Sequence, residues 1–448
     1  MSKQLPEFLP DLSFWVSKEP EYRTRYYSSI FRLIGSLGVL SFFMLLSEYT
    51  MAQATQQWVT AYKDEGGQYA LGRKVVTDAT GNVYVAGNSR NSNSNDDYLL
   101  IKYNPAGVQQ WQSKYDGGSY DGLTDLVIDA SGNLYLTGNS RNANNNDYAT
   151  VKYNAAGEQQ WVARYNGNFG TNSDDNATAM AVDAQGNVYV TGQSIGSATT
   201  NYSNYDYATV KYNAAGEQQW VARYSGNTTS LNNYSYDYAT DIAVDKTGNV
   251  YVTGQSMGNV NNQNNDYDYA TIKYNTAGVQ QWVARYSGNT SNTNTYSYDI
   301  ARALALDSEG NVYVTGLSMG NVNNEYNDYD YLTVKYNAAG VQQWTARYNG
   351  NRTGTNYYSY DTPVDMLLDA QGNVYVTGES SNATLDEMYN EDYDYATVKY
   401  NAAGEQQWVA RYSNNTSGAN NYSYDTPTAI VQDEQGYIYV TGRSEERV

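Results

Sequence analysis

Two short phrases recur seven times along this chain, and they constrain its fold more than any other feature. The first phrase is Gln-Gln-Trp, and the second is Asp-x-x-Gly followed by Asn or Tyr, an aliphatic residue and Tyr. Such a long period indicates one supersecondary unit copied many times, because a single unit cannot bury its own apolar surface. The tryptophans of the first phrase are Trp58, Trp111, Trp161, Trp220, Trp282, Trp344 and Trp408. The second phrase begins at Asp78, Asp129, Asp183, Asp245, Asp307, Asp369 and Asp433.

One copy of the repeat predicts four short strands. They are strand A (Ala177–Val182), strand B (Asn187–Gly192), strand C (Asp206–Tyr212) and strand D (Gln218–Tyr224). Each is rich in Val, Thr, Tyr or Trp, as β-strands are. The phrase Asp/Asn-x-x-Gly separates A from B and C from D, which is typical of a type I turn.

Four antiparallel strands repeated seven times predict an all-β, seven-bladed β-propeller. The chain starts on a D strand at 56–62 and ends on a B strand at 437–442, so we expect the N-terminal strand to close the last blade. Only six copies of the strand C phrase Asp-Tyr-x-x-x-Lys-Tyr exist, so that blade is expected to lack strand C. Either truncation of the chain or a three-stranded blade accounts for this. The expected blades are 68–115, 120–165, 174–224, 236–286, 298–348, 360–412, and 424–444 together with 56–62.

The order of these phrases resembles the SBBP family of bacterial seven-bladed propeller repeats. The residues that carry the resemblance are Asp-x-x-Gly-Asn-Val-Tyr-Val-Thr-Gly, then Asp-Tyr-Ala-Thr-Val-Lys-Tyr-Asn-x-x-Gly, then Gln-Gln-Trp, and they span 56–444. The resemblance implies a propeller and a secreted or surface protein. It supplies no catalytic motif.

The N-terminal segment differs from the repeats. Three arginines, Arg23, Arg25 and Arg32, precede an uncharged run at 33–46, and Ala-Gln-Ala follows at 52–54. This pattern predicts a signal peptide over 1–54 with a long n-region, a propeller over 55–448, and no membrane span in the mature chain. An uncleaved anchor is the alternative.

Composition excludes several function classes. The formal net charge of −20 disfavours a nucleic-acid partner, because phosphate backbones are repelled. The chain has no Cys and no His. Disulfides, zinc sites built from these residues and catalysis by a histidine base are therefore excluded.

The loops from B to C and from D to A are long and variable, whereas the other two connections are short turns. Alternating strand directions place both long loops on one face, which we expect to be the binding face. The alternative is that these Asn- and Ser-rich loops have no binding role. A tyrosine usually precedes strand A and is a candidate ligand contact: Tyr120, Tyr236, Tyr298, Tyr360 and Tyr424.

An aspartate lies eight residues before the turn aspartate in six of the seven copies. Placed on the innermost strand, these carboxylates are expected to surround the channel mouth and to bind a cation such as calcium. Alternatively, each caps a local turn. The six residues are Asp121, Asp175, Asp237, Asp299, Asp361 and Asp425. A second set opens strand C: Asp97, Asp147, Asp206, Asp268, Asp330 and Asp394.

The sequence therefore predicts a secreted or cell-surface binding scaffold, expected to be monomeric, for a glycan, a matrix polymer or a protein. One alternative is a polysaccharide hydrolase or lyase that uses carboxylates. No catalytic residue is predicted, because every conspicuous aspartate follows the repeat whereas a catalytic site would break it. A structural spacer in a larger surface assembly is the other alternative.

Overall fold

The computed structural model describes residues 15–17, 58–62, 69–142, 145–167, 173–196, 204–226, 236–257, 267–288, 298–319, 329–350, 360–381, 393–413, 422–433 and 435–447. Within these ranges all regular secondary structure is β-strand. The predicted signal peptide lies outside the described residues except for Trp15–Ser17.

Six antiparallel four-stranded blades follow one another along the chain, each with strands A to D side by side in sequence order. Five are separate sheets, and the sixth is joined to the following repeat by one parallel bridge, Tyr393 to Tyr424, so that it belongs to a seven-stranded sheet. We number the blades 1 to 6. Their strands are β2 (Ala70–Thr77), β3 (Val83–Arg90), β4 (Asp96–Tyr103), β5 (Gln109–Tyr115); β6 (Asp121–Ile128), β7 (Leu134–Arg141), β8 (Asn146–Tyr153), β9 (Gln159–Tyr165); β10 (Asp175–Val182), β11 (Val188–Ile195), β12 (Tyr205–Tyr212), β13 (Gln218–Tyr224); β14 (Asp237–Val244), β15 (Val250–Met257), β16 (Tyr267–Tyr274), β17 (Gln280–Tyr286); β18 (Asp299–Leu306), β19 (Val312–Met319), β20 (Tyr329–Tyr336), β21 (Gln342–Tyr348); and β22 (Asp361–Leu368), β23 (Val374–Ser381), β24 (Tyr393–Tyr400), β25 (Gln406–Tyr412).

The expected seventh blade, closed by residues 56–62 and lacking strand C, is not formed: the described residues form six blades, not seven. The seventh repeat supplies two strands, β26 (Tyr422–Gln432) and β27 (Ile438–Arg447). A third, β1 (Trp15–Ser17), pairs with β27 on the side where a regular blade has strand C. The expected closing strand does not form, since residues 58–62 are described without strand pairing. The missing strand C phrase leaves no neighbour on which a strand D could form its hydrogen bonds.

The A strands pack against one another in succession from β2 to β26 and line a central channel. The apolar core lies between neighbouring blades rather than within one. Tyr189 and Tyr207 of blade 3, for example, pack with Val250 and Ala270 of blade 4, and all four are fully buried. Each blade therefore depends on its neighbours for burial of its faces.

The repeated tryptophans pack across the junctions between neighbouring blades. Trp220 of blade 3 donates its indole N–H to the carbonyl of Thr276, in the C–D turn of blade 4, at 3.1 Å. The indole lies directly over Gly278 of that turn, where a Cβ would come within 2.7 Å of it. Strand D of one blade thus fixes the position of the next blade.

Candidate functional site

Pairs of tyrosines join neighbouring blades at the edge where the long loops begin and end. The start of strand C in one blade forms a single parallel bridge with the start of strand A in the next blade, as at Tyr267 and Tyr298. Each bridge brings two partly exposed rings together. We call the eight rings the tyrosine arc: Tyr205 with Tyr236, Tyr267 with Tyr298, Tyr329 with Tyr360, and Tyr393 with Tyr424.

The geometry of the arc repeats from junction to junction. Ring centroids lie 5.7 Å apart for Tyr267 and Tyr298, with planes inclined by 31°. The corresponding separations are 6.2 Å at Tyr236, 5.6 Å at Tyr360 and 5.8 Å at Tyr424. Tyr238 stacks on Tyr236 at 6.1 Å and extends the first pair. These separations are normal for interacting aromatic rings.

The arc is confined to blades 3 to 6 and the repeat that follows them. In blades 1 and 2 the position of Tyr205 is taken by Asp96 and Asn146. Asp96 forms an ion pair with Arg90 at 2.9 Å instead. Tyr120, the fifth predicted tyrosine, is 42 % exposed and lies outside the arc. The edge of the propeller that carries the long loops is therefore chemically asymmetric.

The six aspartates predicted to bind a cation open the A strands and are fully buried, with no exposed surface. Five of them accept a hydrogen bond at Oδ2 from a glycine N–H, as Asp237 does from Gly226 at 3.0 Å. Burial raises the pKa of Asp121 and Asp175. The other four glycine–aspartate bonds measure 2.6 to 2.8 Å at Asp121, Asp175, Asp299 and Asp361.

An arginine from strand D organises each junction beside these aspartates. In blade 4, Arg285 donates to the hydroxyl and the carbonyl of Ser256, both at 2.8 Å. It also reaches Asp268 of strand C at 2.9 Å and the hydroxyl of Tyr224 in blade 3 at 2.8 Å. The guanidinium therefore links three strands of its own blade to the previous blade, using its planar set of donors. Its counterparts are Arg164, Arg223, Arg347 and Arg411.

Blade 1 departs from this pattern in its own side chains, although Arg164 of blade 2 still reaches Tyr115 of blade 1 at 3.2 Å. Lys114 stands where the other blades have arginine, and Asp116 stands where they have Asn or Ser. As a result, carboxylate oxygens of Asp97, Asp116 and Asp121 come within 4.8 Å of one another, the one such group of three among the described residues. Burial and the charge of Asp116 raise the pKa of Asp97 to about 6. We call these three residues the junction-1 carboxylates.

Sequence reasoning missed a further set of acidic residues, distinct from those of strand C. They are Asp125, Asp241 and Asp365, and they line the channel. Every A strand has a β-bulge, and these residues directly follow it. A bulge re-aims the following side chain. Burial raises the pKa of all three, and that of Asp241 reaches about 7, with Asp125 and Asp365 contributing. Lys74 of β2 forms an ion pair with Asp125 at 3.4 Å.

The channel carboxylates explain an alternation that is visible in the sequence. Asp241 accepts the N–H of its own neighbour Ile242 at 2.8 Å and the N–H of Leu304, in the next blade, at 2.7 Å. Asp125 and Asp365 make the same two bonds. One aspartate thus serves the bulges of two blades. The intervening blades have alanine there: Ala179, Ala303 and Ala429.

The alternation of aspartate and alanine in successive A strands also determines the chemical role of these carboxylates. Both oxygens of Asp241 are occupied by backbone N–H groups, so its role in the described structure is to join blades. The signal that could have found them is the residue four positions before the turn aspartate, which reads Lys, Asp, Ala, Asp, Ala, Asp, Ala along the chain.

Four-stranded antiparallel blades packed around a channel define this molecule as a β-propeller. The model of the SBBP β-propeller repeat family matches three stretches of the chain, residues 160–197, 219–260 and 281–322. The resemblance inferred from the sequence is thereby confirmed. Curated proteins gave no significant match.

Several solved structures are similar to this chain at low sequence identity. The periplasmic gluconolactonase of Pseudomonas aeruginosa is 12% identical, with 82% of this chain and 98% of that chain covered and a TM-score of 0.47. A polysaccharide lyase, the PL25 ulvan lyase, is 12% identical over 80% of this chain and 85% of its own, with a TM-score of 0.44. The β-propeller domain of the Trilobed protease from Pyrococcus furiosus is 7% identical over 78% and 100%, with a TM-score of 0.40. Within the described residues, no helix has the length and apolar character of a membrane span.

Proposed function

We propose that this protein is a secreted or cell-surface scaffold that binds a neutral carbohydrate polymer along the tyrosine arc. The observation that carries the proposal is the recurrence of one partly exposed aromatic pair at four successive blade junctions on the same edge. A ligand with a repeating unit is the natural match for a surface that repeats.

The chemistry of tyrosine suits such a ligand. Each ring offers an apolar face and a hydroxyl that donates and accepts hydrogen bonds. Sugar rings present C–H surfaces to the first and hydroxyls to the second. The net charge of −20 repels anionic polymers, which favours a neutral one. Export through the segment 1–54 belongs to the same proposal, because the polymer would lie outside the cell.

The test uses affinity electrophoresis of the purified chain in gels that contain neutral polysaccharides of known composition. The variant combines Tyr267→Asn with Tyr329→Asn, and folding should survive because blade 2 has Asn146 at that position. Loss of two aromatic contacts should weaken binding by about tenfold. The matched control is Tyr69→Asn, which changes a 53 % exposed tyrosine outside the arc and should leave binding unchanged.

Other outcomes would replace the proposal. Retardation that is equal for the double variant and the unchanged protein would remove the arc from the account. Release of reducing or unsaturated sugars from the polymer would favour the hydrolase or lyase. If no polysaccharide is bound but a protein is captured, or nothing is bound at all, the protein-partner or spacer function would stand instead.

A further inference from the structure

We propose that the junction-1 carboxylates, Asp97, Asp116 and Asp121, bind a divalent cation, and that Ca²⁺ fits them best. The proposal is independent of the tyrosine arc, which begins two junctions further along the chain. It rests on a comparison between this junction and the next one, which has the same backbone but different side chains.

At the junction of blades 2 and 3 the corresponding aspartate is satisfied by the protein itself. Asp147 accepts a hydrogen bond from Asn166 at 2.8 Å and from Arg164 at 3.3 Å. A donor amide and a guanidinium therefore face this carboxylate. Neutral or cationic donors of this kind remove the need for an ion.

At the first junction both donors are replaced. Asp116 occupies the position of Asn166 and faces Asp97 with a charge of the same sign. Lys114 occupies the position of Arg164 and donates to the hydroxyl of Ser89 at 3.1 Å. Three carboxylates and the ammonium of Lys114 leave a formal charge of about −2. Arg164 also faces Asp121 but is already paired with Asp147, so one divalent ion neutralises the remaining charge.

A second observation points to an absent ligand. Asp121 is completely buried, and its Oδ1 has no hydrogen-bond partner among the described residues. Asp175 at the second junction shares this feature, so the first junction differs in having two further carboxylates within 4.8 Å of this aspartate. The Oδ1 of Asp121 faces the segment that carries Asp116, because a Cβ added to Gly117 would lie 2.6 Å from it. The hydroxyl of Ser140 is near enough to lower the pKa of Asp121 but does not satisfy Oδ1. A buried carboxylate oxygen without a partner is costly, and a cation removes that cost.

The remaining geometry favours Ca²⁺. Asp116 is exposed and Asp121 is buried, so water can complete the coordination on one side of the site. Asn91 donates to both oxygens of Asp97, at 3.1 and 3.3 Å, and holds that side chain in place. Ca²⁺ accepts such mixed, irregular sets of oxygen ligands, whereas Mg²⁺ demands a near-ideal octahedron.

The experiment measures the thermal unfolding midpoint of the full chain in CaCl₂ and in EDTA at matched ionic strength, together with calorimetric titration of CaCl₂. Ca²⁺ should raise the midpoint by several degrees and titrate as one site. Asp116→Asn should abolish both effects without loss of folding, since Asn is the natural residue at Asn166 and Asn349. Its midpoint in EDTA should equal or exceed that of the unchanged protein, because a repulsion has been removed.

A reciprocal variant makes the test independent of any loss of stability. Asn166→Asp gives the second junction three carboxylates and one cation, as at the first, and should add a second Ca²⁺ equivalent. Arg164 is kept, because it also donates to Tyr115 and Ser140 beside Asp121. An unchanged midpoint with no heat of binding in the natural protein would overturn the proposal. So would an undiminished Ca²⁺ effect in Asp116→Asn, which would move the cation to another part of the chain.

Discussion

Asp241 shows how burial sets the properties of a single residue in this propeller. Its carboxylate lies in the channel, accepts two backbone N–H groups, and has Asp125 and Asp365 near enough to raise its pKa. Lys74 is the cation of this region and pairs with Asp125. Since burial dominates, the folded state favours the protonated form of Asp241.

The Asp241→Ala variant should change how stability depends on pH. With a pKa raised from 3.8 to about 7, the folded chain holds a proton that the unfolded chain releases in this interval. Stability from this group is therefore present below about pH 4 and is lost as pH rises to about 7. Each pKa unit corresponds to about 1.4 kcal/mol, so the loss amounts to a few kcal/mol at most.

Chemical denaturation of both proteins at pH 4.5, 6 and 8 measures this effect. Asp241→Ala should show a flatter profile, with a slope reduced by up to one proton. The variant should also be less stable at every pH, because the N–H groups of Ile242 and Leu304 lose their acceptor, but its pH profile is compared by slope rather than by level. Identical profiles would mean that Asp241 keeps an ordinary pKa in the folded chain.

At the scale of strands and turns, the C–D turn and the preceding tryptophan form one unit. Asn275 accepts the N–H groups of Ala277 and Val279 at 3.0 Å and closes the turn. Gly278 follows with φ +76°, in the left-handed region that favours glycine. Its missing side chain leaves the space that Trp220 occupies.

The Gly278→Ala variant should therefore destabilise the protein for two reasons. Alanine is strained at this φ, and its Cβ would lie 2.7 Å from the indole of Trp220. Together these effects should cost about 2–3 kcal/mol of unfolding free energy, measured by urea denaturation. Gly436→Ala is the matched control, because it has a similar φ of +86° but no ring above it. Equal losses in the two variants would show that the indole contact contributes nothing.

At the scale of the whole molecule, the same contact between a tryptophan and a turn glycine joins blade 1 to the segment that precedes it in the chain. Trp58 donates to the carbonyl of Pro105 at 3.1 Å and lies over Gly107, as Trp220 does over Gly278. Residues 58–62 therefore occupy the place of a preceding strand D although they form no strand. Tyr62 packs beside Leu99, Ile101 and Tyr103 of blade 1.

The Trp58→Ala variant tests whether this contact stabilises the first blade. It should lower the unfolding free energy by about 1–3 kcal/mol, less than a fully buried tryptophan would, because Trp58 is partly exposed. Trp220→Ala gives the reference value for a junction between two complete blades. Hydrogen exchange should show faster opening of β2 to β5 in the first variant. No change in either measurement would mean that blade 1 is stable without it.

Much of this architecture follows from the sequence alone. The period of the Gln-Gln-Trp and Asp-x-x-Gly phrases determined the four-stranded unit, because turn residues and strand lengths are local properties. The bounds of strand C, from Tyr205 to Tyr212, differ by one residue from the expected ones. Repetition then implied that neighbouring units pack together.

Only the tertiary structure decided the rest, because it depends on pairs of residues from different blades. It limited the complete blades to six, since a strand D needs a strand C beside it. It paired Tyr267 with Tyr298, and it brought Asp97 to Asp121 across a junction. No local pattern records such contacts, whose members lie 24 or more residues apart in the sequence. Packing between blades, rather than the strand propensity of each blade, therefore determines which residues come together in the candidate sites.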